Sequence, residues 1–180
     1  MGGRDEREFV EFASSASDGM RRTAYLMCGD WRRAADLTEE ALIRLYVGWS
    51  RPDEDARQYR LARQTVVSVA IDAAGKRSGG GVLASSSTTD LREDDPTLEA
   101  ADRILLMQAL AELPTTQRAC VVLRYYEDLG FDEVASLLGC RKGAVKSQTA
   151  RGVQALRQSY RRHGGELLTD PRATWEPTTW

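Results

Sequence analysis

The chain has 180 residues, enough for one or two domains, and its net charge of −2 does not by itself indicate a nucleic-acid partner. Hydrophobic residues make up 42% of it, but no apolar run reaches the roughly 18 residues of a membrane-spanning helix, so no membrane partner is expected. The start, MGGRDEREFVEF, is charged and lacks the apolar centre of a signal peptide, which predicts a cytoplasmic protein.

Three helices are predicted between about residue 4 and about residue 77. The first has apolar residues at helical spacing and is broken by Gly29. Asp30 is suited to cap the second helix, which runs to Trp49. The third helix extends from about Glu54 to Ala74. The side chains expected to point inward from it are Tyr59, Leu61, Ala62, Val66, Val69 and Ala70.

Residues 78–97, SGGGVLASSSTTDLREDDPT, are rich in Gly, Ser and acidic residues. This composition is too poor in apolar side chains to order itself and predicts a flexible linker. The tail, 164–180, is predicted to be disordered, although it contains Trp175 and Trp180, which dock on the protein, serve a partner or are simply exposed. Because no β pattern appears, we predict an all-α fold with two helical domains, 1–77 and 98–163.

The second domain contains the segment FDEVASLLGCRKGAVKSQTARGVQALR, residues 131–157. Val134, Leu137 and Leu138 give its first half an apolar helical face, and Gly139 is suited to end that helix. A second helix follows, with an apolar stripe that includes Val145. The order helix, sharp turn and helix is typical of a helix-turn-helix.

The charges of the second domain are strongly segregated along the chain. Residues 90–138 contain eleven acidic residues and four arginines, whereas residues 141–162 contain seven basic residues and no acidic one. A local basic face favours phosphate binding whatever the total charge. A short helical hairpin with ordinary surface charges is the alternative. The candidate DNA contacts, suited to phosphates and to base edges in a major groove, are Arg141, Lys142, Lys146, Ser147, Gln148 and Arg151.

A further helix is predicted upstream, in LPTTQRACVVLRYYEDL, residues 113–129. Pro114 lies near its start, where a missing N–H costs little. Arg124 is placed to reach a DNA phosphate, and a surface salt bridge with Glu127 or Asp128 is the alternative.

Residues 113–157 together closely resemble the fourth conserved region of bacterial sigma factors of the sigma-70 family. The resemblance is strongest to the small extracytoplasmic-function group and its actinobacterial, SigE-like branch, which carries LRYYEDL and VKSQ. It implies a dissociable RNA polymerase subunit whose recognition helix, about Lys142 to Arg157, enters the major groove of the −35 promoter element. It also implies contact with the β flap of the polymerase core and an anti-sigma factor as a further partner.

The first domain resembles region 2 of the same family. AADLTEEALIRLYVGW, residues 34–49, is similar to the segment that binds the β′ clamp helices, although the family commonly has Gln at Glu39. The resemblance implies a core-polymerase surface, and a solvated charged face is the alternative. The residues expected to form this surface share one helix face and are Asp36, Glu39, Glu40 and Arg44.

Residues 57–77 are similar to the part of region 2 that melts and holds the −10 element. Relatives usually have Asn at Ser68 and a denser basic or aromatic run where this chain has AAGKRSGGG. Two functions therefore stay open: a sigma factor that directs promoter-specific initiation, or a sigma-like regulator or partner-binding module that has lost initiation. The expected −10 contacts are Arg60, Arg63, Ser68, Lys76 and Arg77.

No enzyme site, cofactor site or metal site is predicted. SGGGV lacks the Lys and Ser/Thr of a phosphate-binding loop, and His163 is the only histidine available to a catalytic triad. Cys28, Cys120 and Cys140 are far apart in the chain, so we interpret them as small buried or half-buried apolar residues.

Overall fold

A computed structural model of the chain describes residues 3–49, 55–77 and 100–165. Its helices are α1 Gly3–Cys28, α2 Trp31–Val47, α3 Asp55–Arg77, α4 Ala100–Ala111, α5 Thr115–Val121, α6 Phe131–Leu137 and α7 Lys142–Arg162. A π-helical turn, Val122–Tyr126, continues α5. Within the described ranges the rest is turns and connections, and the all-α prediction is confirmed. The predicted linker, 78–97, and tail residues 166–180 lie outside these ranges.

The chain divides into two compact units, Met1–Gly80 and Gly81–Trp180. In the first unit, α1, α2 and α3 pack against one another around a core of small and medium apolar side chains. Such side chains allow helix axes to approach closely, because little volume separates the backbones. The fully buried core residues are Met20, Ala24, Ala34, Ala41, Ala62, Val66, Val67 and Val69.

An aromatic cluster closes one end of this three-helix bundle. The Trp49 ring lies 4.9 Å from Phe9 and 5.1 Å from Phe12, measured between ring centroids. Tyr59 of α3 lies 5.5 Å from Phe12 and donates a hydrogen bond of 2.7 Å to Ser15. The cluster therefore ties the end of α2 and the start of α3 to α1.

The predicted boundary between α1 and α2 is confirmed. The Asp30 side chain accepts a hydrogen bond of 2.7 Å from the backbone N–H of Arg33, which satisfies one of the unpaired donors at the start of α2. Tyr25 and Trp31 stack across the same boundary, with ring centroids 4.1 Å apart. The angle between α1 and α2 is therefore fixed on both sides of the turn.

The prediction that Leu61 of α3 points inward was wrong. Leu61 is 49% exposed, whereas Ala62, Val66 and Val69 are fully buried. These buried positions recur every three or four residues, and Leu61 lies about 100° away from Ala62 around the helix. Val67, which was not expected to point inward, is fully buried instead.

In the second unit, α7 is the longest helix, and α4, α5 and α6 pack against it. Val121, Val122, Leu123 and Val134 are buried there, as expected for the apolar side of a helix-turn-helix. Gly152 allows α7 to approach α5 closely. A Cβ atom at this position would lie 2.8 Å from Val121 Cγ2 and 3.1 Å from the Gln117 carbonyl oxygen.

The cysteine interpretation was wrong at one position. Cys120 is buried and Cys28 is half-buried, but Cys140 is exposed because it lies in the turn after Gly139. Burial raises the pKa of the Cys120 thiol to about 11, so this thiol stays protonated and unreactive at neutral pH. Among residues 3–49, 55–77 and 100–165, no helix is both long and apolar enough to cross a membrane.

Candidate nucleic-acid interface and partner surface

The turn between α6 and α7 is set by backbone hydrogen bonds and one left-handed residue. The Gly139 φ angle of +60° is unfavourable for residues with a side chain. The Cys140 N–H then donates to the Ala135 carbonyl at 3.0 Å, which reverses the chain. The Arg141 carbonyl accepts from Ala144 and Val145, so α7 begins directly after this turn.

The two faces of α7 differ in the way that groove insertion requires. Val145, Thr149 and Gly152 are buried against the body of the unit. Gln148 is half-buried beside them. The opposite face is exposed and carries Arg141, Lys142, Lys146, Ser147 and Arg151. Five of the six predicted −35 contacts are therefore open to solvent, and together they form what we call the α7 basic face.

Lys142 is already engaged by an acidic neighbour. Its Nζ atom lies 2.7 Å from Asp132 Oδ2, and both side chains are well exposed. An exposed ion pair of this kind is worth little and is screened by salt. Asp132 therefore restrains Lys142. A phosphate that binds Lys142 must displace Asp132, which costs little free energy.

Phe131, which the sequence reasoning did not select, links two predicted DNA contacts. The Arg124 guanidinium carbon lies 4.4 Å from the centroid of the Phe131 ring. The Lys146 Nζ atom lies 5.7 Å from the same centroid. Arg124 and Lys146 are 22 positions apart in the sequence, so their meeting at one ring could be found only from the fold.

The far end of α7 is fixed to α4 by a cluster around Glu112. Ser159 donates a 2.6 Å hydrogen bond to this carboxylate, and Arg162 and His163 also contact it, at 2.5 and 2.7 Å. The Ser159 hydrogen bond is the main reason why the pKa of Glu112 lies below its usual value, and His163 and Arg162 add to the effect. Helix α7 is therefore anchored at its C-terminal end.

Tyr160 strengthens the same anchor. Its hydroxyl donates a 2.8 Å hydrogen bond to Asp102 of α4. Burial, together with the bond to Asp102, raises the pKa of Tyr160 to about 12. The phenol is thus a hydrogen-bond donor across the physiological range.

In the first unit, the four residues predicted to bind the polymerase lie on the exposed side of α2. Asp36, Glu39, Glu40 and Arg44 are all exposed. Arg44 joins Glu40 at 2.7 Å and Asp72 of α3 at 2.8 Å. Hydrogen bonds to Asp72 and then Glu40 raise the pKa of the guanidinium. Arg44 therefore also links α2 to α3.

Two large apolar side chains lie within this charged face of α2. Ile43 is 65% exposed and Val47 is 83% exposed. At helical spacing, positions 36, 40, 43, 44 and 47 share one side of α2. Sequence reasoning did not select either residue, because it looked for charged side chains on this face. An exposed apolar centre with a charged rim is typical of a protein–protein interface.

The −10 residues predicted on α3 are described only in part. Arg60 is exposed, whereas Arg63 and Ser68 are half-buried. The side chains of Lys76 and Arg77 lie outside the described part of the structure. The structure therefore brings Arg60, Arg63 and Ser68 onto one helix without defining a complete single-strand groove.

Comparison with known proteins finds a family model that matches the second unit and relatives that match most of the chain. Residues 103–156 match the family model described as "Sigma-70, region 4". The chain is 35% identical to the RNA polymerase sigma-E factor of Streptomyces coelicolor over 154 residues, which cover 84% of this chain and 85% of that protein. It is 33% identical to the ECF RNA polymerase sigma factor SigL of Mycobacterium tuberculosis, over 76% of this chain and 79% of the relative.

A solved structure shares the fold. It is the sigma factor RpoE in complex with the anti-sigma factor NepR, from Bartonella quintana, and it aligns with a TM-score of 0.58. The alignment covers 87% of this chain and 96% of that chain at 17% identity. At this identity the likeness bears on the fold alone.

Proposed function

Because the chain belongs to the extracytoplasmic-function group of RNA polymerase sigma factors, in its SigE-like actinobacterial branch, we propose a specific role for each of its exposed faces. A sigma factor is a transcription initiation factor, and we place its action in the cytoplasm with the polymerase. The observation that carries the proposal is the two-sided character of α7, with buried Val145, Thr149 and Gly152 behind an exposed basic face.

The α7 basic face is proposed to read the −35 element. Lys142, Lys146 and Arg151 supply charge for phosphates, and Ser147 and Gln148 supply groups for base edges. Arg141 precedes the helix and extends this face towards the DNA backbone. Arg124, held at the edge of α7 by the Phe131 ring, contacts a neighbouring phosphate.

Helix α3 is proposed to contribute to the −10 element. Arg60 and Arg63 would supply electrostatic attraction, and Ser68 a polar contact to the single strand. Lys76 and Arg77 continue this basic series towards the end of the helix. The segment is less aromatic than such a groove usually requires, which predicts weak promoter melting.

The exposed side of α2 is proposed to bind the β′ clamp helices of the polymerase core. Ile43 and Val47 form the apolar centre, and Asp36, Glu39 and Glu40 form an acidic rim that steers a basic partner. The second unit would meet the β flap. By analogy with the solved complex, an anti-sigma factor is proposed as an inhibitory partner.

A regulator that kept DNA binding and lost initiation is the less favoured function. Such a protein would need only the second unit, which carries the proposed DNA-binding face. The 35% identity to a sigma factor instead extends over 154 residues and thus into both units.

The polymerase surface is tested by placing a charge at its apolar centre. Ile43→Glu should weaken binding to purified core polymerase about tenfold or more, because the carboxylate is desolvated where the partner packs. Val10→Glu is the matched control, since Val10 is 57% exposed on α1. Binding is measured by titrating the labelled chain with core. Equal losses for the two variants would contradict the proposed surface.

A further inference from the structure

Three separate elements meet at the Phe131 ring. Phe131 is the first residue of α6, Arg124 belongs to the π-helical turn Val122–Tyr126, and Lys146 belongs to α7. The ring is half-buried, so one part packs in the unit while another part is available to cations. With distances of 4.4 and 5.7 Å to one centroid, the two charges lie no more than about 10 Å apart.

The backbone that carries the ring is held by hydrogen bonds at the start of α6. The Gly130 N–H donates a 2.7 Å hydrogen bond to the Glu133 side chain, which fixes the first turn of α6. The Val134 N–H donates to the Gly130 carbonyl at 3.0 Å and continues that turn. These contacts fix the backbone of the turn that carries Phe131.

The turn that carries Arg124 is also fixed. The Glu127 N–H reaches back to the Val122 carbonyl at 3.1 Å, and the Leu129 N–H to the Leu123 carbonyl at 3.0 Å. The extra residue in this turn rotates the side chains that follow relative to a regular helix. Arg124 is the middle residue of this turn and lies over the ring that begins α6.

The Phe131 ring counteracts both the mutual repulsion and the rotamer freedom of two long cationic side chains. Arg124 and Lys146 repel each other, and each has many rotamers that must be given up when it binds a phosphate. The negative face of an aromatic ring attracts both cations and restricts them before DNA arrives. Less freedom is then lost on binding, which favours association.

We propose that Phe131 is a positioning residue for DNA binding, which presents Arg124 and Lys146 together as a preorganised pair of phosphate-binding cations. The inference rests on the proposed −35 role of the second unit. Phe131 itself need not touch DNA. Its contribution passes through the two cations, and this separates it from a residue that only stabilises α6.

The test is a double-mutant cycle on the full chain. The probe is a duplex enriched by the wild-type chain from a random-sequence pool, and binding is followed by fluorescence anisotropy. Phe131→Leu keeps an apolar side chain but removes the ring, and should weaken binding about five- to tenfold. Phe131→Tyr keeps the ring and should stay within about twofold of wild type. Phe131→Met replaces the Leu variant if that variant does not fold.

The decisive comparison uses the background Arg124→Gln with Lys146→Gln. If Phe131 acts through these cations, Phe131→Leu should cause no further loss in this background. The same loss in both backgrounds, or no loss in the wild-type background, would overturn the positioning role. A wild-type chain that enriches no duplex would instead overturn the proposed DNA function, and this inference with it.

Discussion

At the scale of single residues, the basic side chains of α7 are not equivalent. Lys142 is paired with Asp132 at 2.7 Å, and Lys146 lies over the Phe131 ring. Arg151 is exposed five residues beyond Lys146 in the same helix. A phosphate must therefore displace Asp132 to bind Lys142, whereas Phe131 leaves the Lys146 charge available.

Opposite changes in DNA affinity are expected from two substitutions on this surface. Arg151→Ala should weaken duplex binding about three- to tenfold and flatten its salt dependence by about one counterion, because one phosphate contact is lost. Asp132→Asn should strengthen binding up to about threefold, because Lys142 is released and a repulsive charge is removed.

Both variants are measured by fluorescence anisotropy against the enriched duplex at several salt concentrations. Arg32→Ala, at an exposed position of α2, is the control for losing a basic residue elsewhere. Unchanged affinity and salt slope for Arg151→Ala would show that the helix is placed wrongly on the DNA.

Glu112 makes the anchoring of α7 dependent on pH. Its pKa is lowered in the folded state, mainly by the Ser159 hydrogen bond, so the carboxylate stabilises the fold above the unfolded value near 4.5. This contribution is lost as the pH falls through the lower, folded pKa. The side chain is 37% exposed, so solvent screening limits the effect to about 1 kcal/mol.

Glu112→Gln should therefore reduce the free energy of unfolding at pH 7 by up to about 1 kcal/mol, since Gln accepts weaker hydrogen bonds than a carboxylate. The difference from wild type should shrink below about pH 4. Urea unfolding across this pH range measures it. A difference that is constant with pH would show that the carboxylate charge is not responsible.

Individual residues also show where sequence reasoning reaches its limit. The exposed positions of the α7 basic face follow from helical spacing alone, because its apolar residues mark the other side. The roles of Phe131 and Glu112 do not follow, because their partners are 7 to 51 positions away. Ile43 and Val47 were missed for a different reason, since an apolar side chain does not reveal whether its partner belongs to the same chain.

At the scale of elements, the packing of α7 on α5 depends on the missing side chain at Gly152. The Cβ of an alanine would lie 2.8 Å from Val121 Cγ2, too close for either atom to remain in place. Gly143 of the same helix has no neighbour within 4 Å of such an atom. Alanine at position 143 is therefore a control for alanine at position 152.

Gly152→Ala should lower the free energy of unfolding by about 1–3 kcal/mol, because the overpacked helix must shift away from α5. Gly143→Ala should be neutral or stabilising by up to about 1 kcal/mol, because alanine restricts the unfolded chain. Denaturant unfolding followed by circular dichroism compares them. If the two variants are equally stable, α7 does not approach α5 as closely as described.

The positions of the helices were easier to predict from the sequence than their local geometry and the burial of single residues. The Asp30 cap and Gly139 mark their boundaries by local chemistry, and both boundaries lie where the sequence indicated. The π-helical turn at Val122–Tyr126 was not foreseen, because its extra residue leaves no distinctive local pattern. Leu61 was misplaced because a helix with apolar residues on several sides does not reveal which side is covered.

At the scale of the whole molecule, the chain carries its two kinds of surface on separate units. The first unit presents the mixed apolar and acidic side of α2, and the second presents the α7 basic face. Their chemistry fits the proposed partners, because a protein helix favours an apolar centre and a DNA backbone favours positive charge. The net charge of −2 does not reveal this difference between the surfaces of the two units.

In vitro transcription with purified actinobacterial core polymerase on a genomic promoter library, with and without this chain, would show directly whether the chain initiates transcription. New transcripts are expected when the chain is added, and they should weaken with Arg151→Ala and with Ile43→Glu. Absence of new transcripts, together with no binding to core, would contradict the assignment as an initiation factor.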